Sequence, residues 1–181
     1  GQVNLLVPSM LTPGDLEALK TWVEAFGLVP VVVPDLADSL DGHLTDDGFS
    51  ALTYGGTTRE QLVHLHQAMA TLVIGDSLHA AADALRARTG VPNFHFPHLT
   101  GLHGCDHFTL RLSQLAGCPV PLAIERQRAQ LLDAMVDSQF TLGAARVAVA
   151  ADPDLLSMLC DVLVGQGAEV VAAISAAAAP V

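Results

Sequence analysis

The sequence predicts an α/β fold: a Rossmann-like parallel sheet with flanking helices, followed by the start of a second, similar domain. Short apolar runs alternate along the chain with segments of helical periodicity, and glycine, proline or a helix-capping residue separates one from the next. The apolar runs are continuous, which is typical of parallel strands that are buried on both faces. At 181 residues the chain is long enough to bury a core.

The first part of the chain begins with a strand–helix–strand unit. Residues 3–7 and 29–33 are apolar runs that predict two buried strands. Between them, Thr12 and Asp15 have the spacing of a capping box, and Gly27 provides the stop of the intervening helix. We therefore expect two strands of one parallel sheet joined by a crossover helix.

A long polar stretch, residues 35–53, interrupts this alternation. Its length suggests an insertion or a functional loop. The glycine turn at residues 55–58 then leads into a helix for which Thr57 and Glu60 form a capping box. The turn has neither the Gly-x-Gly-x-x-Gly pattern nor a Walker lysine, so we interpret it as a plain turn and not as a phosphate loop.

The alternation continues to the end of the chain and suggests three segments: a Rossmann-like domain over residues 1–118, a connecting helix over 119–143, and the incomplete start of a further αβ domain over 144–181. By the family resemblance given below, these correspond to a middle domain and the start of a third domain. Prolines at positions 119 and 121 mark the boundary. Further strands are predicted at residues 71–74, 93–97, 146–151 and 169–174, and further helices at 78–89, near 105–116, after Pro121, and between Asp152 and Gly167. The predicted cap of the helix at 78–89 is Asp76 or Ser77.

Charge and composition exclude several classes of function. The chain has 19 acidic and 8 basic side chains, and its net charge of -11 disfavours nucleic acids and anionic membranes. No apolar run reaches the roughly 18–20 residues of a membrane span, and no signal peptide is visible. Three cysteines without a CxxC pair predict a reducing cytoplasm. Apolar residues make up 51% of the chain, and such a surplus often accompanies a partner surface.

The histidines and the cysteine between positions 95 and 107 are the candidates for a metal site. Imidazole and thiolate are ligands that zinc and iron prefer. The spacing of these residues matches no standard zinc motif. Successive side chains on the strand at 93–97 alternate between the two faces of the sheet, so His95 points to the face opposite to its neighbours. We therefore predict no metal ligand in this chain. The residues that would form such a site are His95, His98, His103, Cys105 and His107.

Other chemically suggestive residues have simpler structural interpretations, and we predict no catalytic residue. Ser77 follows a strand as in a nucleophile elbow, but His79 stands where that motif needs its second glycine. We interpret Ser77 as a helix cap. The remaining candidates are interpreted as small core cysteines or as a solvated carboxylate pair on a helix: Cys118, Cys160, Asp133 and Asp137.

A series of short motifs occurs in order along the chain. It includes the Gly-Gly-Thr-Thr step with Glu60, the Leu-Asp-Phe set at 102, 106 and 108, the proline-bounded hinge at 119–121, and Asp-Pro-Asp at 152–154. Together these motifs resemble the nitrogenase molybdenum-iron protein family. The segments at 11–15, 40–43, 126–131 and 133–137 are more similar to its cofactor-assembly members than to nitrogenase itself. Two places depart from the family pattern: Gln139 replaces a usual histidine, and residues 143–146 replace a more basic turn.

The resemblance implies a subunit of three αβ domains and a non-catalytic scaffold function. It implies a heterotetramer with a NifE-like subunit, in which an iron-sulfur precursor matures into the iron-molybdenum cofactor, and transient contact with the nitrogenase iron protein. The cysteine that this type of subunit contributes to a cluster belongs to an N-terminal domain in the family. The resemblance therefore implies iron-sulfur clusters and a cofactor precursor in the complete complex, and no cofactor ligand in this stretch of chain.

Two alternative functions fit parts of the sequence. The first is the β subunit of the nitrogenase molybdenum-iron protein, which the assembly-type segments at 11–15 and 126–137 disfavour. The second is a stand-alone α/β domain that binds a small ligand or a metal through residues 95–107. Metal analysis and the identity of a co-purifying partner distinguish these alternatives.

Overall fold

A computed structural model describes residues 1–8, 11–34 and 65–175 of the chain. The predictions for the polar stretch at 35–53, the glycine turn at 55–58 and the capping box of Thr57 and Glu60 lie outside these residues. The chain forms two compact units, Gly1–Phe96 and Pro97–Val181. The two units meet after Phe96, but they are defined only by contacts within this chain. The predicted domain boundary at residue 118 therefore stays a prediction.

The first unit is built around a parallel sheet of four strands in the order β2-β1-β3-β4. Leu5 of β1 lies opposite Val32 of β2 and Leu72 of β3, and β3 pairs with β4 on its other side. The inner strands are therefore β1 and β3. The elements are β1 (Gln2–Val7), α1 (Pro13–Glu24), β2 (Val29–Pro34), β3 (Ala70–Ile74), α2 (His79–Thr89) and β4 (Asn93–Phe96). The predicted α/β class and parallel sheet are confirmed.

The inner strands form the core of this unit. All of β3 is buried, and so is all of β1 after its first residue. Leu5, Leu72 and Val73 are inaccessible to solvent. This burial on both faces explains why the two strands are mostly apolar instead of alternating, and the buried polar residues Asn4 and Thr71 lie next to each other, with Asn4 Nδ2 3.5 Å from Thr71 Oγ1.

The start and the end of α1 follow the prediction closely. The Thr12 hydroxyl oxygen accepts a hydrogen bond from the backbone N–H of Asp15 at 3.2 Å, which satisfies one of the free donors of the first turn. The Asp15 carboxylate accepts a hydrogen bond from the Thr12 hydroxyl at 2.5 Å. In a standard capping box this carboxylate would accept from the backbone N–H of the capping residue instead. Gly27, three residues after the helix, has a φ of 69° and turns the chain toward β2.

The predicted cap at Asp76 or Ser77 is wrong. The chain leaves β3 through Gly75, whose φ of 114° is open to glycine only, and residues Asp76–Leu78 then form a 3-10 turn. Leu78 is 1% exposed and holds the turn against the core, so the α-helical hydrogen bonds start only at His79. Leu78 therefore occupies the cap position, without a capping side-chain hydrogen bond.

The second unit contains three helices and a two-stranded parallel sheet. The elements are α3 (Gly101–Ala116), α4 (Leu122–Leu142), β5 (Arg146–Ala150), α5 (Pro153–Gly165) and β6 (Glu169–Ile174). The predictions for α4 and β6 match these bounds. The helix predicted near residues 105–116 begins four residues earlier, at Gly101, because its first turn packs on α5, where Val162 lies 3.6 Å from the Cβ position of Gly101.

The long helix α4 leaves much of its apolar surface exposed. Among the described residues no side chain of α4 is fully buried, and Phe140 is 87% exposed. Val136 and Leu132 of the same helix are also exposed, as are Val171 and Ile174 of β6. The apolar surplus of the sequence is therefore present as surface in this unit. None of the described helices is long and apolar enough to cross a membrane.

Candidate functional site

His95, the first of the candidate ligands, is held in a contact between β4 and α2. Its ring stacks on that of His79, with centroids 4.3 Å apart and planes inclined by 14°. His95 Nδ1 is buried and has no hydrogen-bond partner among the described residues. Burial, followed by the neighbouring His79, lowers the pKa of His95, and Asp83 and Asp76 oppose that shift. The uncharged ring is therefore favoured at neutral pH.

His98 serves the packing of α3 on α5. The backbone N–H of Thr100 donates to His98 Nδ1 at 3.3 Å, so the ring proton belongs on Nε2. His98 Nε2 lies 2.9 Å from a carboxylate oxygen of Asp161 on α5 and donates to it. Both ring nitrogens are used within the protein, which leaves neither of them for a metal ion.

Cys105 and its neighbour Gly104 pack against the loop that precedes α3. The Cys105 thiol donates to the backbone carbonyl of Leu99 at 3.3 Å. Burial raises the pKa of Cys105, with a smaller contribution from Asp106, so the thiol resists becoming the thiolate that metals bind. A Cβ atom on Gly104 would lie 2.8 Å from the carbonyl oxygen of His98. The glycine is therefore needed for close packing of helix on loop.

His103 and His107 lie on the exposed side of α3. Between them, Asp106 accepts two hydrogen bonds from Arg128 of α4, at 2.6 and 2.7 Å. This bidentate contact is the largest cause of the lowered pKa of Asp106. The charged pair joins α3 to α4 and is a structural contact, half exposed to solvent.

The structure does not bring the five candidate ligands together. Across residues 1–8, 11–34 and 65–175, no three His, Cys, Asp or Glu side chains are grouped so that they could hold a metal ion. His95 stacks within the first unit, whereas the other candidates belong to the second and have the contacts described above. The prediction that no residue of this chain is a metal ligand stays a prediction.

The other candidates have ordinary positions. The carboxylates at 133 and 137 are exposed on α4, which confirms the solvated helix face. The two remaining cysteines are free and half-buried, so the prediction that they are core residues is only partly right. Ser113 Oγ donates to the carbonyl of Cys118 at 2.5 Å and secures the end of α3.

The junction between α4 and β5 contains close backbone contacts. The sequence predicted the position of this junction but not its contacts. The backbone N–H of Gly143 donates to the carbonyl of Gln139 at 2.7 Å, and a Cβ on Gly143 would lie 2.6 Å from that oxygen. Ala144 follows with a φ of 63°, which is rare for a residue other than glycine. Ser138 Oγ and Gln166 Oε1 lie 3.0 Å apart, and Gln166 is 3% exposed.

The family comparison covers the entire sequence. Residues 1–181 match the family described as nitrogenase component 1 type oxidoreductase. The chain belongs to this nitrogenase component 1 family. The predicted resemblance is thereby confirmed at the level of the family.

Several similar proteins of the nitrogenase component 1 family are named as cofactor biosynthesis proteins. The chain is 46% identical to the nitrogenase iron-molybdenum cofactor biosynthesis protein NifN of Klebsiella pneumoniae, over 92% of this chain and 36% of the relative. It is 43% identical to NifN of Rippkaea orientalis, over 99% of this chain and 41% of the relative. The chain thus spans about two fifths of the length of the relatives it matches. The expected similarity to NifN is confirmed.

The solved structure of nitrogenase Cp1 at pH 6.5 has the same fold. It superimposes with a TM-score of 0.74 at 30% sequence identity, over 93% of this chain and 37% of the nitrogenase chain. The Rossmann-like sheet of the first unit is consistent with this likeness. The sequence is therefore more similar to the assembly proteins of the nitrogenase component 1 family than to this nitrogenase.

Proposed function

We propose that this chain is part of a scaffold subunit of the NifN type, on which the iron-molybdenum cofactor of nitrogenase is assembled. The observation that carries the proposal is 46% identity with a NifN protein over 92% of the chain. The scaffold has no catalytic residue of its own in this stretch. It works in the cytoplasm, as the reduced cysteines suggest.

The roles of the candidate ligands support a scaffold without its own cluster in this stretch. His98 uses both ring nitrogens for Thr100 and Asp161, and the Cys105 thiol is protonated and donates to a carbonyl. In the proposed complex, the cluster and the cofactor precursor are bound by other parts of the subunit and by its partner. This stretch then contributes αβ structure to the scaffold subunit.

The proposed partner is a NifE-like subunit, with which the protein forms a heterotetramer, and the nitrogenase iron protein binds transiently. The exposed apolar side chains of α4 and β6 support an assembly larger than this chain. The decisive experiment is co-expression of the tagged protein with a NifE-like subunit and, separately, with a nitrogenase α subunit. We expect a stable stoichiometric complex with the first and none with the second.

The nitrogenase β subunit is the second candidate function, and the same experiment tests it. A stable complex with the α subunit, together with a gain of substrate reduction, would identify the catalytic homologue and overturn the scaffold proposal.

The other alternative, a stand-alone metal-binding domain, predicts stoichiometric metal in the protein purified without a histidine tag. We expect less than one equivalent of iron or zinc, unchanged by His103→Gln.

A further inference from the structure

The stacked imidazoles of His79 and His95 join an edge of the first sheet to a helix. β4 is the last strand in the order β2-β1-β3-β4 and pairs only with β3 among the described strands. His79 is the first residue of α2, and its ring lies 4.3 Å from that of His95 on β4. Two residues earlier on the same strand, Asn93 Nδ2 donates to the carbonyl of Ala82 in α2 at 2.7 Å. These two side chains of β4 therefore hold the strand on α2.

The ring nitrogens of the two histidines have different surroundings. His79 Nδ1 lies 2.6 Å from the carbonyl oxygen of Asp76, so this nitrogen carries a proton and donates it. His95 Nδ1 is buried and has no acceptor among the described residues. A proton placed on that nitrogen would therefore stay unpaired.

We propose that the stack of His95 on His79 is an acid-sensitive contact, which holds β4 against α2 while the His95 ring is neutral and releases the strand when that ring takes up a proton. Neutral rings stack favourably, whereas a protonated His95 would carry a buried N–H without an acceptor, and any positive charge on His79 at this distance would repel it. The contact would thus let mild acid loosen one edge of the sheet while its inner strands stay buried.

The electrostatic surroundings of the pair support this inference. The titratable groups that act on His95 are His79, which disfavours its charge, and Asp83 and Asp76, which favour it. Burial is the largest influence, and the net effect lowers the pKa of His95. A group whose pKa is lower in the folded protein stabilises the fold above its unfolded value, here about 6.5. That stability is lost as the pH falls from this value through the folded pKa.

Hydrogen exchange read by mass spectrometry, with rates corrected for their intrinsic pH dependence and with a chelator present, tests the contact. Between about pH 7.5 and 5, we expect the protection of Asn93–Phe96 and the start of α2 to fall, by up to about tenfold per pH unit as the pH drops from about 6.5 through the folded pKa of His95. Protection of β1 should stay constant. The variant His95→Phe keeps a flat ring that cannot charge, and it should lose this pH dependence. The exposed control His103→Gln should retain it.

A second variant keeps the test independent of how His95→Phe folds. In His79→Gln the neighbouring charge is absent, so the NMR titration midpoint of the His95 ring should move upward relative to the wild type. An unchanged midpoint would refute the coupling of the two rings. Equal pH dependence of β4 protection in the wild type and in His95→Phe would refute the acid-sensitive contact.

Discussion

Gly104→Ala tests whether the histidine- and cysteine-rich segment is shaped by packing. The added Cβ would lie 2.8 Å from the carbonyl oxygen of His98 and 3.4 Å from the Cα of Leu99. To reach an ordinary contact distance, α3 and the loop must separate by about half an ångström. The loop cannot move freely, because His98 is fixed by Asp161 at 2.9 Å and by the N–H of Thr100.

The expected net effect combines two opposing contributions. Because the blocking atoms are backbone atoms, overpacking should cost about 2–3 kcal/mol, the upper part of the usual range, and the better helix propensity of alanine offsets about 1 kcal/mol of it. We therefore expect Gly104→Ala to lower the free energy of unfolding by about 1–2 kcal/mol. With a urea m-value of about 2 kcal/mol per M, the midpoint of helix loss in circular dichroism falls by about 0.5–1 M.

Gly165→Ala is the matched control. Gly165 is the last residue of α5, and no atom lies within 4 Å of its Cβ position. The same substitution there should leave the midpoint unchanged or raise it slightly. If Gly104→Ala were as stable as Gly165→Ala, the glycine would not be required for packing, and the structural explanation of this segment would be wrong.

Three further predictions concern other contacts. Thr12→Ala removes the capping oxygen of α1, and it should destabilise that helix by about 1 kcal/mol, measured as faster amide exchange in its first turn. Leu112→Ala should cost about 2–5 kcal/mol in urea unfolding because Leu112 is 0% exposed, whereas Leu110→Ala, at a site 56% exposed, should change stability by less than about 0.5 kcal/mol. Arg128→Gln should destabilise the protein at pH 7 and become harmless in acid. The reason is that the hydrogen bonds from Arg128 lower the pKa of Asp106. The stabilisation by the ion pair is therefore present above the unfolded carboxyl pKa and is lost as the pH falls through the folded value. Because the pair is half exposed, added salt should reduce the stability difference between the wild type and Arg128→Gln in unfolding experiments.

Local signals in the sequence were sufficient for most of the regular elements. Thr12 with Asp15 specifies the start of α1 through side-chain hydrogen bonds between near neighbours, and Gly90 and Gly117 end their helices with left-handed backbone angles. The strands were predictable because inner parallel strands need apolar residues on both faces. Each of these signals acts over a few residues, and such signals can be recognised without knowing the rest of the fold.

The contacts that decide the candidate site act between distant residues. The stack of His79 on His95 depends on the register that places Ile74 of β3 opposite Phe96 of β4, and apolar periodicity does not fix that register. The early start of α3 depends on packing against α5, which overrides the poor helix propensity of its glycines. The 3-10 turn after β3 needs the unusual backbone angle of Gly75. The sequence did contain one signal for the stack. His79 follows the end of β3 and His95 lies near the end of β4, and parallel pairing brings these two strand ends together.

The exposed face of α4 connects the fold with the proposed function. Amphipathic periodicity shows that one side of a helix is apolar, but it does not show what covers that side. Phe140 is 87% exposed, and Val164 of α5 is 60% exposed, while Phe108 and Leu112 of α3 are completely buried. The second unit therefore has a real core and a separate apolar surface. A two-stranded parallel sheet with exposed apolar strands is not expected to be stable by itself, so this surface supports the proposal that further protein covers it.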